Sequence, residues 1–242
     1  MIAFEALSKN YGSYQAVHPL SLTVGHGEVF GFLGPNGAGK TTTIRMIMGI
    51  LVPSAGRVLI DGLDCHAQAA EVKRHVGYLP DNPIFYDYLR GREILQFVAE
   101  MHGASRADAA ARAAQLLDEF GLDEVSEEYA VNYSMGMKKK LGLACALVHD
   151  PAVLILDEPI NGLDPRAARE VQERLVASAA RGKTIFVSTH LLDMAERMCD
   201  RVGIINRGVL VATGSVDELR GATSTNSTLE EVFLKVTSEA GA

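Results

Sequence analysis

The chain has 242 residues, 48% of them hydrophobic and 22% charged, with a formal net charge of −7. That is apolar material for a sizeable core, in one large domain or a domain with a subdomain. The acidic balance speaks against a protein that holds nucleic acid by bulk electrostatics, and no window approaches the ~18 consecutive apolar residues of a membrane-spanning helix. The first residues lack a basic leader with a long apolar run, and Cys65, Cys145 and Cys199 show neither disulfide nor zinc spacing. We therefore expect a cytoplasmic chain with incidental thiols, held at a membrane only through a partner.

In chain order, short apolar runs at 2–7, 20–24, 28–33 and 57–60, punctuated by glycines, predict strands. Between the third and fourth lies Gly34-Pro35-Asn36-Gly37-Ala38-Gly39-Lys40-Thr41-Thr42, followed by the helical run 44–48. This fits G-x-x-x-x-G-K-[ST] in its strand-to-helix setting. The glycines let successive N–H groups turn inward on a polyphosphate, Lys40 can reach the β- and γ-phosphates, and Thr41 can ligate Mg²⁺. From 83 to 148 the period becomes helical, notably at 92–101 and 106–120, and we expect a helical subdomain inserted in a sheet-based core. Within it, Lys138-Lys139-Lys140 reads as a solvated helix face.

Consecutive apolar residues return at 153–156, 184–188 and 202–205, as in buried parallel strands, separated by helices at Pro165–Ala180 and 191–198. Residues 216–220 predict a helix and 221–227 a loop. Leu229, Val232, Phe233 and Val236 fall at helical spacing, to pack on their own domain or on a partner. The strand at 153–156 ends in Asp157-Glu158, which sets one carboxylate for Mg²⁺ and a second as general base for water. His190 follows the strand at 184–188, at the strand end where open α/β sheets bind ligands.

With Asn132-Tyr133-Ser134-Met135-Gly136-Met137, these residues resemble the ATP-binding cassette family over nearly the whole chain. The resemblance implies an α/β fold: a P-loop NTPase core of mixed sheet with flanking helices, an N-terminal antiparallel β-subdomain and the inserted helical subdomain at 83–148. It further implies one nucleotide domain over 1–242, with C-terminal extension helices at 215–242. In it, 34–42 is the Walker A loop and Tyr11 the ring that stacks on adenine. Asp81 stands at the Q-loop position, Ser134, Met135, Gly136 and Met137 form the signature, and Asp157 and Glu158 close Walker B. Asp164 belongs to the D-loop, and His190 is the switch histidine. ATP and Mg²⁺ are the implied ligands, the metal held by Thr41, Asp157 and Asp81.

The family pattern implies a head-to-tail dimer, homomeric or heteromeric, that sandwiches ATP between Walker A of one subunit and the signature of the other. Two departures stand out: Asp81 replaces the usual glutamine, and Met135 replaces the first glycine of the signature, with Tyr133 in place of leucine. The signature form and the ending Thr228-Leu229-Glu230-Glu231-Val232-Phe233-Leu234-Lys235 are similar to ATPase subunits of bacterial exporters. The resemblance thus implies an ATPase that drives a separate integral membrane permease, peripheral on the inner face of the cell membrane, with no nucleic-acid partner. The alternatives are a soluble cassette ATPase outside transport and a regulatory nucleotide-binding subunit with low turnover.

Overall fold

The computed structural model describes residues 1–223 and 228–239. In chain order the elements are β1 (Ile2–Tyr11), β2 (Tyr14–Val24), β3 (Val29–Leu33), α1 (Lys40–Ile47), β4 (Ala55–Ile60), β5 (Leu63–Asp64), α2 (Ala69–His75) and β6 (Val76–Leu79). There follow α3 (Gly91–Met101), α4 (Arg106–Glu119), α5 (Met135–Leu147), β7 (Val153–Asp157), α6 (Pro165–Ala180) and β8 (Thr184–Thr189). The chain continues through α7 (Leu192–Met198), β9 (Arg201–Asn206), β10 (Val209–Ser215), α8 (Val216–Thr223) and α9 (Leu229–Glu239). It forms two compact units, one of Met1–Lys73 with Leu175–Ala242 and one of Arg74–Arg174, and passes between them within α2 and α6.

The first unit holds an antiparallel sheet in the order β2-β1-β4-β5. Phe4 pairs with Leu22 on one side and Val58 on the other, and Tyr11 meets Tyr14 across the hairpin end. β3 lies parallel to both β8 and β9, and β10 closes antiparallel on β9, so the sheet is mixed. Its core is aromatic. Phe186 on β8 stands 5.8 Å from Phe30 and 5.4 Å from Phe32 between ring centroids, with Phe4 of the antiparallel sheet at 5.9 Å. All five residues of β3 and all six of β8 are buried, as expected of strands covered on both faces.

The C-terminal helices of this unit begin in reciprocal capping boxes, Ser215 with Glu218 for α8 and Thr228 with Glu231 for α9. Leu229 and Val232 of α9 are buried with Leu33, Val202 and Ile204, and Phe233 and Val236 pack against the same cluster. The apolar stripe at the end of the chain is therefore spent on its own unit rather than offered to a partner. The loop expected at 221–227 has its residues 224–227 outside the described residues.

In the second unit β6 and β7 pair in parallel, Val76 with Val153 through Leu79 with Leu156. Glu93 caps α3 through the Arg90 N–H, and Ser105 caps α4 through the Asp108 N–H. The guanidinium of Arg112 on α4 donates to the Leu147 and Val148 carbonyls that end α5, tying the two helices together. Several expectations are refined here. The segment 83–90 is not helical, and β5, β6, β10, α2 and the first half of β2 were not foreseen. β2 breaks its alternation at Ala16 and Val17, both buried, and carries an exposed Pro19, while β6 is four residues long with a glycine inside it. Among the described residues, no helix is long and apolar enough to cross a membrane.

Candidate functional site

In the first unit, β3 delivers the chain into the loop 34–39 and α1 carries it out. Gly39 takes φ +107° at the start of α1, where no side-chain hydrogen bond caps the helix. A Cβ at Gly39 would stand 2.8 Å from the Ala16 carbonyl, and one at Gly34 would overlap the Ile205 carbonyl. The loop is thus pressed onto β2 and β9 with space only for glycine. Lys40 is 6% exposed and folds back, its Nζ donating to the carbonyls of Gly34 at 2.7 Å and Pro35 at 3.2 Å. Pro35, Asn36, Gly37 and Thr41 are exposed, Thr42 is half-buried and Ala38 buried.

Tyr11 ends the β1–β2 hairpin half-exposed, with Lys9 Nζ 5.3 Å from its ring centre, so its ring is not committed to the core. His190 follows the buried Ser188 and Thr189 at the C-terminal end of β8 and is itself exposed.

The second unit carries the remaining candidates. Asp157 ends β7 fully buried, and Glu158 follows, 7% exposed, with φ +49°. A left-handed backbone at a non-glycine residue costs about 1–3 kcal/mol and gathers at functional sites, because it aims a side chain that regular geometry would not. Ser134 caps α5, its Oγ accepting from Met137 N–H at 3.2 Å, and its hydroxyl lies in a cleft of about 420 Å³ that Met135, Gly136, Met137 and Asp164 also line. The structure therefore brings the signature segment and the D-loop together.

Two contacts in this unit account for the departures within the signature. The Tyr133 hydroxyl donates to the Val125 carbonyl at 2.8 Å, a use that leucine at this position lacks. The Met135 thioether lies over Gly162, where an added Cβ would stand 2.6 Å from the methionine methyl group, so Met135 fills space above the D-loop glycine. Asp164 Oδ1 accepts from the N–H groups of Arg166 and Ala167, both at 3.0 Å, and thereby caps α6. Those bonds, the one from Ala167 foremost, hold its carboxyl below the usual carboxylate range.

One expectation fails in this unit. The lysine run is not a uniformly solvated face, because Lys139 is 2% exposed, with Nζ donating to the Asp81 main-chain carbonyl and standing 3.6 Å from Asp81 Oδ1. Burial pushes its ammonium pKa down against the opposing pull of Asp81, Asp157 and Glu158, and the net direction is downward. Residue type alone hides it, since Lys138 and Lys140 on either side are half-exposed. Cys65, Cys145 and Cys199 are free, and burial pushes each thiol to about 12.

A glycine-walled loop between a buried strand and an uncapped helix, with a lysine folded over it, defines a phosphate-loop nucleotide-binding domain. The ABC transporter family model matches residues 17–161, more than half of the chain, and the chain belongs to that family. It is 34% identical over 240 residues to the probable multidrug ABC transporter ATP-binding protein YbhF of Escherichia coli (strain K12), covering 98% of this chain and 41% of that protein. It is 41% identical over 216 residues to the bacitracin transport ATP-binding protein BcrA of Bacillus licheniformis, covering 88% and 69% respectively. A solved structure described as an ATP binding subunit of an ABC transporter superposes with a TM-score of 0.92 at 33% identity, covering 98% of this chain and 99% of that one. The chain thus spans about two fifths of the Escherichia coli relative's length.

Proposed function

We propose that this chain binds and hydrolyses Mg-ATP as the ATP-binding subunit of an exporter-type ABC transporter. The observation that carries the reading is the cradle at 34–40, whose N–H groups open on an uncapped helix start with the Lys40 ammonium folded against it. Lys40 grips the β- and γ-phosphates, and Tyr11 offers its half-exposed ring to adenine. The metal donors Thr41, Asp157 and Asp81 are all hard oxygens, the set that suits Mg²⁺, which keeps several waters and takes its other ligands from substrate phosphates. When bound, Mg²⁺ supplies charge neutralisation on the phosphate oxygens.

The residues divide the remaining work. Glu158 orients and deprotonates the attacking water, its left-handed backbone aiming the carboxylate. His190, exposed at the end of β8, contacts the γ-phosphate. Ser134 and the backbone around Gly136 donate to the γ-phosphate of a second cassette, and Asp164 links the two sites across that dimer. ATP binding closes the dimer and hydrolysis reopens it, a two-state element that does work on a separate membrane permease. The relatives named as multidrug and bacitracin transport ATP-binding proteins support a role in transport, and we place the chain on the inner face of the membrane through its permease.

The test is phosphate release from purified protein with Mg-ATP, wild type beside Glu158→Gln, each followed by size-exclusion chromatography. Turnover by the wild type, with a dimer accumulating only in the ATP-loaded variant, is the expected result. A wild type that neither releases phosphate nor dimerises, alone or with membranes carrying its permease, would overturn the reading.

A further inference from the structure

Lys139 lies inside α5, little more than one turn beyond the Ser134 cap, yet its side chain is almost fully buried. A buried ammonium is tolerated only where carbonyls and carboxylates satisfy it. Here the Asp81 main-chain carbonyl and carboxylate do so, across 58 residues of sequence. The next turn of the same face grips the same loop again. A Cβ at Gly142 would stand 2.7 Å from Leu79 Cδ1 and 3.2 Å from Pro83 Cβ, so the helix backbone fits against the residues on both sides of Asp81. Lys139 and Gly142 are three apart and share a helix face, one supplying charge and the other close approach. The loop is therefore fastened to the helix whose first turn carries Ser134 and Met135.

We propose that Lys139 is a positioning residue that ties the Asp81 loop to α5, so that Asp81 and the Ser134 turn shift as one piece. The inference deepens the functional reading above and rests on it for its kinetic consequence, whereas the tie itself belongs to the folded chain. Removing the ammonium frees the loop from the helix without touching the phosphate grip assigned to Lys40. The loss then appears in turnover and not in the KM for ATP. Arginine, a cation of similar reach, restores it.

The experiment compares wild type, Lys139→Met, Lys139→Arg, Asp81→Asn and the double variant Lys139→Met with Asp81→Asn, in the full-length chain. Without nucleotide, hydrogen exchange at the Asp81 and Asn82 amides is expected to quicken about tenfold in Lys139→Met and to stay within about twofold in Lys139→Arg. With Mg-ATP, kcat is expected to fall about tenfold in Lys139→Met at a KM within about twofold, and the double variant to be no worse than its poorer parent. Unchanged exchange in Lys139→Met, or losses that multiply in the double variant, would overturn the tie. If the wild type hydrolyses no ATP, the functional reading falls while the exchange result still decides the tie. If Lys139→Met does not fold, Lys139→Gln, which also removes the ammonium, decides in its place: faster exchange at Asp81 and Asn82 supports the tie and unchanged exchange overturns it.

Discussion

The two helix starts that we propose meet phosphate oxygen, those of α1 and α5, are finished differently. At α1 no side chain caps the helix, Gly39 holds a left-handed turn, and the N–H groups open into a loop that Lys40 overhangs. At α5 a side chain does cap the helix, with Ser134 Oγ accepting from Met137 N–H. At α1 an anion meets a helix start that no side chain caps, whereas at α5 it competes with Ser134 Oγ for the Met137 N–H, and the serine hydroxyl keeps its own proton to donate. The contrast assigns holding to α1 and gating to α5. It also gives sense to the proposed tie at Lys139, which fastens the Asp81 loop to the helix that carries the gate.

Substitutions can separate the two roles. The largest effect is expected from Glu158→Gln, which removes the base while both helix starts stay intact. Turnover falls about 10³-fold with ATP affinity retained, as read by phosphate release beside equilibrium nucleotide binding. Lys40→Ala is next, removing the charged grip at α1, and ATP affinity falls about 100-fold by titration of a fluorescent analogue. Ser134→Ala strikes only the gate. Turnover falls about tenfold, and loss of the cap costs about 1 kcal/mol, visible as a modest drop in Tm.

The smallest effect concerns Asp164, beside the gate. Its carboxyl lies below its unfolded value, held down first by the Ala167 N–H, so its contribution to stability is present above the unfolded carboxylate range and is lost as pH falls through the lower folded value. Asp164→Asn keeps an acceptor for α6 and removes that proton. Its Tm is therefore expected to decline less steeply than the wild type on the acid side, as calorimetry between neutral and strongly acidic pH would reveal.

The same two regions differ in how plainly the sequence announces them. The α1 cradle is local: a strand, three glycines, a lysine and a threonine fall between Val29 and Thr41, and each acts on its near neighbours. β7 was equally readable, five consecutive apolar or acidic residues that are all buried. The capping boxes Ser215 with Glu218 and Thr228 with Glu231 were also written three residues apart. β6 was hidden because four residues with a glycine read as a turn, and its identity comes from its partner β7. Lys139 was hidden for a deeper reason, since only the folding of the Asp81 loop onto α5 turns the middle lysine of a run into a buried cation. Met135 likewise reads as a lost glycine until Gly162 is seen beneath it.

The division between a cradle that holds and a cap that gates is tested most directly by measuring ATP affinity and single-turnover phosphate release in Lys40→Ala and Ser134→Ala side by side. Lys40→Ala is expected to lose affinity about 100-fold, while Ser134→Ala keeps wild-type affinity within about twofold and loses turnover. A Ser134→Ala protein that loses affinity as heavily as Lys40→Ala, or keeps full turnover, would contradict it.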